Sequence, residues 1–482
     1  MASVPRAIRR LSVDQDFLDA CADLGSQRLA DYALFQSYYD GDQKVRLADR
    51  TRQFLEASGL AFAENFCEPI IDVLAERLEV EGFNALVGDE PAPENFGQWL
   101  DRVWQRNRAD ALQGVVHTST FVKGDAFVTV DYNPAKGLPR FTFNRPDVVK
   151  AVYSADTPDT LEYVGKLWTT KAYGPQNEKR AAIQRLNVYY PDRVEKFYRL
   201  HGTQDAGGWE RWTDPIEGGV EPWPLPWVAK DGSPLGIPVV HFRNKPLGQV
   251  YGRSELRSVL PQQDALNKQV VDLHDILDNQ AWPQRYVTGV AADTVDLIHK
   301  PGEYLHTQAE AAKFGQLEAA DPAGVLAAIE QTISRIARRS RTPLHLLAGG
   351  GLPSGEALKT AEAGLVAKAE RRGVDIGNSW EDVMLLAARV EAAYGTPTIS
   401  DLSDLVIETQ WRNPQSRSEA DDFDWVNAAQ IAGVSQHSMQ IRLGLDPEEE
   451  LQHKAGEGAT LDAAAGALLD AGLGGRGLGA AA

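Results

Sequence analysis

Hydrophobic residues recur at two different periods along this chain, and the changes of period divide it. From residue 12 to 83 the pattern is helical. Ser12-Val-Asp-Gln15 has the spacing of a capping box and precedes a helix that the pattern carries to near Tyr39. Phe66, Ile70, Ile71, Leu74 and Leu78 then form one helical stripe within Asn65 to Leu78. Residues 88–95, with Pro91 and Pro93, predict a connection, and Trp99, Val103, Trp104 and Leu112 predict a further helix. From about 118 to 243 short runs replace this pattern: Ala126–Val130, Leu161–Leu167, Ile183–Tyr190 and Val194–Leu200. Gly, Pro, Asn and Asp separate them, as turns between strands require. Gly202 to Gly236, rich in Gly, Pro and Trp, predicts hairpin loops. The fold class expected of this body is α+β.

A helix pair with an insertion follows. Between Ser254 and Asn279, Leu256, Leu260, Leu266, Val270, Leu273 and Leu277 share one side, and Pro261 begins the regular helix or kinks it. Residues 283–320 are strand- and turn-like, with Arg285-Tyr-Val-Thr288 and Gly302-Glu-Tyr-Leu305. Asp321-Pro322 caps the second helix, which carries Leu326, Ile329, Ile333 and Ile336 and ends at Arg341-Thr-Pro343. Leu344 to Pro353 reads as a flexible, partly apolar loop containing Gly349, Gly350 and Gly351. Ser354 caps a long helix reaching about Tyr394, with Leu358, Ala361, Leu365, Trp380, Met384 and Val390 on its stripe. Gly364, Gly373 and Gly377 lie inside it. At about 1 kcal/mol each in a helix interior, they predict a kink or break. A strand at Leu405–Thr409 follows, then a capping box, Ser416-Arg-Ser-Glu419, opens a helix through Phe423, Val426 and Ile431. The Ala-, Gly- and Leu-rich stretch from Gly456 is expected to end in a mobile segment, Gly472 to Ala482.

Composition narrows the function. A length of 482 residues predicts two or more domains. The net charge of −19 excludes a free-standing nucleic-acid binder with a basic footprint. Two cysteines, Cys21 and Cys67, give no disulfide framework and read as small buried hydrophobes in a reducing compartment. No stretch is long and apolar enough to span a bilayer, and the basic N-terminus lacks the apolar run of a signal peptide. A cytoplasmic protein, or part of a particle assembled in the host cytoplasm, is expected.

The residues offer little catalytic chemistry. The Gly350-to-Gly355 spacing imitates a phosphate-binding loop, but Glu356 stands where such a loop needs Lys and would repel a phosphate. There is no His-Glu-x-x-His pair and no nucleophile elbow, and His299 and His306 only flank a turn. No enzyme activity, metal or cofactor is expected. Two features stand out. Arg335, Arg338, Arg339 and Arg341 crowd the end of one helix, where they either stabilise its C-terminus or contact phosphates beside a DNA path. The adjacent segment, with Leu346, Leu347, Gly349, Gly350, Gly351 and Leu352, either presents apolar side chains or simply connects two helices or subunits.

A resemblance joins these parts. Tyr38-Tyr-Asp-Gly41, the run Asn65 to Phe83, Tyr251-Gly-Arg-Ser-Glu-Leu256, Gln263-Asp-Ala-Leu-Asn-Lys268, Pro283-Gln-Arg285, Pro353-Ser-Gly-Glu-Ala-Leu-Lys359 and Trp411-Arg-Asn-Pro414 follow one another in an order that resembles the portal proteins of long-tailed (siphovirus-type) bacteriophages, particularly those of actinobacteria-like hosts. The resemblance implies a cyclic ring, twelve-fold in the particle, and a division into parts. Residues 1–250 would form the wing, 251–282 and 321–342 the stem helices, and 283–320 the clip. Residues 343–353 would form the tunnel loop, 354–432 a long kinked helix returning to the wing, and 433–482 the crown and tail. It implies a passive conduit for double-stranded DNA entering and leaving the capsid, in the virion at the portal vertex. The implied partners are the terminase large subunit, a head–tail adaptor, and major capsid and scaffolding proteins. The DNA-channel candidates are the four arginines, the segment 346–352 and Lys359. Twelve copies at −19 each would carry roughly −228 formal charges, which would repel DNA from most of the wall. Another phage head or adaptor protein, or a Trp-rich carbohydrate hydrolase working through paired carboxylates, is the competing expectation.

Overall fold

The computed structural model describes residues 27–43, 64–170, 182–200, 209–216, 219–281, 285–290, 310–316, 321–349, 355–399, 402–415 and 430–431. The chain divides into Met1–Pro414 and Gln415–Ala482.

The core of the first unit gathers helices around a three-stranded antiparallel sheet. The helices are α1 (Gln27–Tyr39), α2 (Cys67–Ala75), α3 (Glu94–Arg106) and α4 (Ala109–Lys123). The sheet has the order β13–β3–β4, from β3 (Asp125–Asn133), β4 (Leu138–Asn144) and β13 (Val239–Arg243). Six successive residues of β3 are buried, because α4 and a later helix both pack on this sheet. A strand covered on both faces loses the alternation of polar and apolar positions, which explains why Ala126–Val130 reads as one apolar run. Gly124 ends α4 in the left-handed region, at φ 95°, and its amide bonds Thr120 O at 2.9 Å.

The second sheet is the surprise of this half. β1 (Val80–Val87) pairs with β2 (Glu90–Pro91) on one side and with β16 (Leu405–Trp411) on the other. The sequence pattern extended a helical region to residue 83, but helix α2 stops at Ala75 and Val80–Phe83 are strand. The stabilising partner lies more than 300 residues away, with Val80 opposite Trp411 and Val87 opposite Leu405. No local signal carries such a pairing.

A larger antiparallel meander forms an outlying lobe from β5 (Val149–Tyr153), β6 (Leu161–Thr170), β7 (Ile183–Tyr189) and β8 (Arg193–Leu200). The short strands β9 (Glu210–Arg211) and β12 (Leu225–Pro226) pair with β8, and β10 (Pro215–Ile216) and β11 (Gly219–Val220) form a small hairpin. Tyr163, Leu186, Val188 and Tyr190 make a small core of its own.

The chain then leaves the body. Helix α5 (Leu260–Ala281) leads to β14 (Arg285–Thr288), which pairs with β15 (Lys313–Gln316), and α6 (Ala323–Ser340) returns alongside α5. Pro261 occupies the first turn of α5, so it starts the helix rather than kinking it. Asp321 Oδ1 accepts the amide of Ala323 at 3.0 Å, which completes the expected cap. A short helix α7 (Leu344–Ala348) precedes α8 (Gly355–Tyr394).

Helix α8 runs unbroken for 40 residues, roughly 60 Å. The glycines inside it do not break it, and the contacts give the reason. A Cβ on Gly377 would lie 3.2 Å from Trp411 Nε1, and one on Gly373 would lie 3.4 Å from Leu78 Cδ2. These two glycines let β16 lie close against the helix, and buried Leu365, Ala369, Ile376, Trp380, Val383, Met384 and Val390 pack its continuous length into the core. The capping boxes at Ser12 and Ser416, Ser354, Cys21, His299, His306, the strand 302–305 and the tail from 456 lie outside the described residues.

Candidate functional site

The four candidate arginines end one helix and surround its junction with the next. Arg335, Arg338, Arg339 and Arg341 are all exposed at the C-terminal end of α6. Their surroundings differ. Arg339 Nη1 donates to Ser258 O, below the start of α5, at 3.1 Å. Arg335 reaches Gln331 Oε1 within its own helix, and Arg338 Nε donates to Ser334 O. Arg341 is the C-cap, at φ 57° and ψ 30°. Its amide bonds Ala337 O, and the Thr342 amide reaches the same carbonyl at 3.1 Å. A left-handed cap usually takes glycine, since other residues pay about 1–2 kcal/mol there. Keeping arginine at this cap is a local cost that helix termination does not require.

Arg338 and Arg341 line a groove of about 390 Å³ together with Pro343, Leu344, Ala361 and Gly364. The segment expected to be a flexible loop begins as the helix α7, because Pro343 at φ −55° and ψ 139° sets up a new helical turn. The apolar display expected along it is found only in part. Leu344 is exposed, but Leu346 packs against the main core, and Leu347 packs against the cluster of Ile70, Val259, Leu266 and Ile336. Gly349 is exposed at φ 66°. Gly350, Gly351 and Leu352 lie outside the described residues. Lys359 is exposed on the second turn of α8, the helix that carries Ala361 and Gly364 into the groove. Structure therefore brings Arg338, Arg341 and the α6–α7 turn together, and directs Arg339 to the base of the helix pair.

Below this surface lies a buried ionic cluster that sequence reading missed. Glu255, just ahead of α5, accepts from Lys245 Nζ at 2.6 Å, Lys368 Nζ at 3.1 Å, Arg372 Nε at 2.8 Å and Asn244 Nδ2 at 3.1 Å. Burial works to raise the Glu255 carboxyl, but Lys368, Lys245 and Arg372 overcome it and hold it well below the ordinary carboxylate range. Burial pulls Lys368 down, and Glu255 opposes that pull. Lys368 Nζ also donates to Ser340 O, at the end of α6, across 3.1 Å. One turn and a half earlier on α8, Glu362 receives Arg77 at 3.0 Å and faces His345 Nε2 of α7 at 3.6 Å. The only sequence signal was the presence of charged residues within an otherwise apolar helix pattern.

The helix pair is seated on the body by further polar contacts. Gln263 is buried: its Nε2 donates to Glu64 O at 2.6 Å, and its Oε1 accepts the Phe66 amide at 3.1 Å. Tyr38 donates to Asp264 at 2.5 Å. A second buried network lies beside the approach to α5. Asp125 accepts from Tyr32 at 2.6 Å and from the Gly252 amide at 2.8 Å, and pairs with His241 Nε2 at 2.9 Å. The motifs around Tyr38, Gly252 and Gln263 are thus the seating of the helix pair.

The sequence model of the family described as phage portal protein, SPP1 Gp6-like, matches residues 18–457. The chain belongs to this family of phage portal proteins. The family is a structural, non-enzymatic one. The chain is similar to the portal protein of Mycobacterium phage L5, with 26% identity over 444 residues, 87% of this chain and 81% of that protein. It is also similar to the portal protein of Mycobacterium phage D29, with 26% identity over 406 residues, 80% of this chain and 76% of that protein. Among solved structures it aligns with a chain from the neck of a native GTA particle computed with C12 symmetry, at a TM-score of 0.40 and 13% identity, covering 84% of this chain and 96% of that one. A chain from the neck of an empty GTA particle computed with C6 symmetry gives a TM-score of 0.43 and 13% identity, covering 84% of this chain and 95% of that one.

The competing hydrolase expectation needed an aromatic cleft with acids at strand ends. The tryptophans of the loops at 209–227, whose sequence context suits a solvent-facing or interface role, are engaged within the chain. Arg185 stacks on Trp212 at 3.8 Å, Arg211 on Trp223 at 4.1 Å and Arg199 on Trp209 at 4.6 Å, while Trp227 is buried and donates to Gly236 O. Cys67 is buried, and burial, with Asp264 nearby, pushes its thiol up to about 12, as befits a small hydrophobe. Among the described residues, no helix is long and apolar enough to cross a membrane.

Proposed function

We propose that this chain is the repeating subunit of the closed portal ring, twelve-fold in the particle, through which double-stranded DNA passes. In this reading α5 and α6 are the stem, β14 and β15 belong to the clip, and residues 1–250 with α8 are the wing. The segment 343–353 is the tunnel loop, and 433–482 the crown. The terminase large subunit and then a head–tail adaptor would dock at the clip, and capsid and scaffolding proteins would hold the wing at the portal vertex of the virion.

One observation carries the reading: within a chain matched over residues 18–457, two packed helices lead out to a two-stranded ribbon and back. The outer part of that excursion supports it. Leu277, Leu326, Tyr286 and Phe314 are exposed there, an apolar display that one subunit leaves open and a neighbour in a ring would cover. The DNA role of the α6 end is supported by Arg341 occupying a glycine-type cap and by the exposure of Arg335 and Arg338. With a net charge of −19 on the chain, few phosphate contacts would be made, and a channel that holds DNA weakly lets it slide.

Electron microscopy of the purified full chain tests this directly. Rings with a central hole are expected; a compact monomer at every concentration would refute the reading.

A further inference from the structure

We propose that a buried ionic stripe on the first half of α8 fixes the register of the α6–α7 junction, with Lys368 and Glu362 as its positioning residues. Three successive grips line this stripe. Glu362 faces His345 of α7, Lys368 holds Ser340 O at the end of α6, and Lys368 and Arg372 hold Glu255 ahead of α5. One rigid helix therefore fixes the start of the outgoing helix, the end of the returning helix and the short helix beyond it.

Ionic contacts do here what apolar packing cannot. Apolar packing is non-directional, so Leu346 and Leu347 alone would allow the junction to settle at more than one height along α8. A buried ion hydrogen-bonded to named atoms is satisfied in one arrangement only, and a misplaced one is left unpaired. Buried polar groups that set register at the expense of stability are known from coiled coils.

Charge counting singles out Lys368. Glu255 carries one negative charge and meets three cations, Lys245, Lys368 and Arg372. Two cations remain if Lys368 is removed, so neutralising Glu255 does not require it. What Lys368 alone supplies is a donor for Ser340 O. That carbonyl is one of the last four of α6, which have no acceptor role inside the helix, and a cation there also meets the negative end of the helix dipole. Glu362 faces His345 of α7 at 3.6 Å, while its bond to Arg77 anchors it to the body.

The test compares Lys368→Met and Glu362→Gln with the parent, in the full chain. Lys368→Met keeps the volume and leaves Glu255 paired. Its melting temperature should stay within about 5 °C of the parent, since Glu255 keeps Lys245 and Arg372 and the loss of one donor at the Ser340 carbonyl shifts the melting of a chain this long by only a few degrees. Amide exchange over residues 341–349 should quicken by about tenfold or more, while β3 and the second half of α8 stay protected. Unchanged exchange at 341–349 in both variants overturns the proposal. Loosening spread equally over β3 and α8 also overturns it, because that marks general destabilisation. Should Lys368→Met not fold, Glu362→Gln decides by the same criteria. The functional arm, retention of packaged DNA in particles assembled with each variant, rests on the channel reading above. Loosened exchange with reduced retention supports both. Loosened exchange with full retention supports the register lock and counts against the channel role of this segment.

Discussion

Trp380 donates its indole N–H to His117 Nε2 across 2.9 Å in the centre of the core, joining α8 to α4. The acceptor must be an unprotonated nitrogen, so the bond exists only with a neutral ring. Burial lowers His117 from its ordinary 6.5 to about 4. Between those values the unfolded chain takes up a proton that the folded chain refuses, so stability falls as pH drops from 6.5 to 4 and is unaffected by this group above 6.5. At about 1.4 kcal/mol per pH unit the loss reaches about 3 kcal/mol. Denaturant midpoints measured across this window should flatten in His117→Gln, whose amide oxygen can still accept from Trp380. Parallel curves for the two proteins would show that His117 is not the titrating group.

Gly252 illustrates a different constraint. A Cβ there would sit 2.0 Å from Gly124 O and 2.7 Å from both the amide nitrogen and the carbonyl oxygen of Asn244. All three are backbone atoms and none can swing aside. We expect Gly252→Ala to cost about 3 kcal/mol or more in thermal unfolding. Gly114→Ala, with nothing within 4 Å of the new methyl in the middle of α4, should instead add about 0.5–1 kcal/mol. Equal effects at the two sites would contradict the close approach of the two backbones.

Arg341 separates stability from function. Relief of its left-handed backbone in Arg341→Gly should stabilise the fold by about 1 kcal/mol. The same variant, combined with Arg335→Gln and Arg338→Gln, should lower DNA retention in assembled particles without disturbing rings. Retention equal to that of the parent would remove these arginines from the DNA path. Arg339→Gln is the contrasting case, since it loses the Ser258 carbonyl and should loosen the base of α5 instead.

In the outlying lobe, Arg185 lies between Trp168 at 5.5 Å and Trp212 at 3.8 Å, while Lys196 binds Asp214 at 2.8 Å and Glu221 at 2.6 Å. Stacked arginines and ion pairs here do work that apolar burial does in the main core, and each cation–π contact is worth about 0.5–2 kcal/mol. Arg185→Ala should therefore open the 209–226 segment to limited proteolysis while the melting of the main body stays unchanged. A variant as resistant as the parent would show that the segment does not depend on the Arg185 stack.

Much of the architecture is legible in the sequence. The helix stripes of 65–78, 321–342 and 354–394, the strands at 126, 161, 183, 194 and 405, and the helix–insertion–helix order all follow from local periodicity. Two of the failures share one cause. The pattern at residues 80–83 predicts helix because their partner strand, β16, is distant, and the glycines of α8 predict a kink or break because the surfaces that fill the space beside Gly373 and Gly377 come from Leu78 and Trp411. Information held in contacts between distant residues leaves no periodic trace.

The same division applies to function. By itself the sequence determined the family, through motifs kept in order from Tyr38 to Pro414, and it determined the missing Lys of a phosphate loop and an acidic chain with one basic cluster. Only the tertiary structure decided that Leu346 and Leu347 turn inward, that Arg339 faces the base of α5, and that Glu255, Ser340 and Lys368 meet. Charges so far apart in sequence become one cluster only when folding removes the water between them, and a linear pattern of residues does not contain that step.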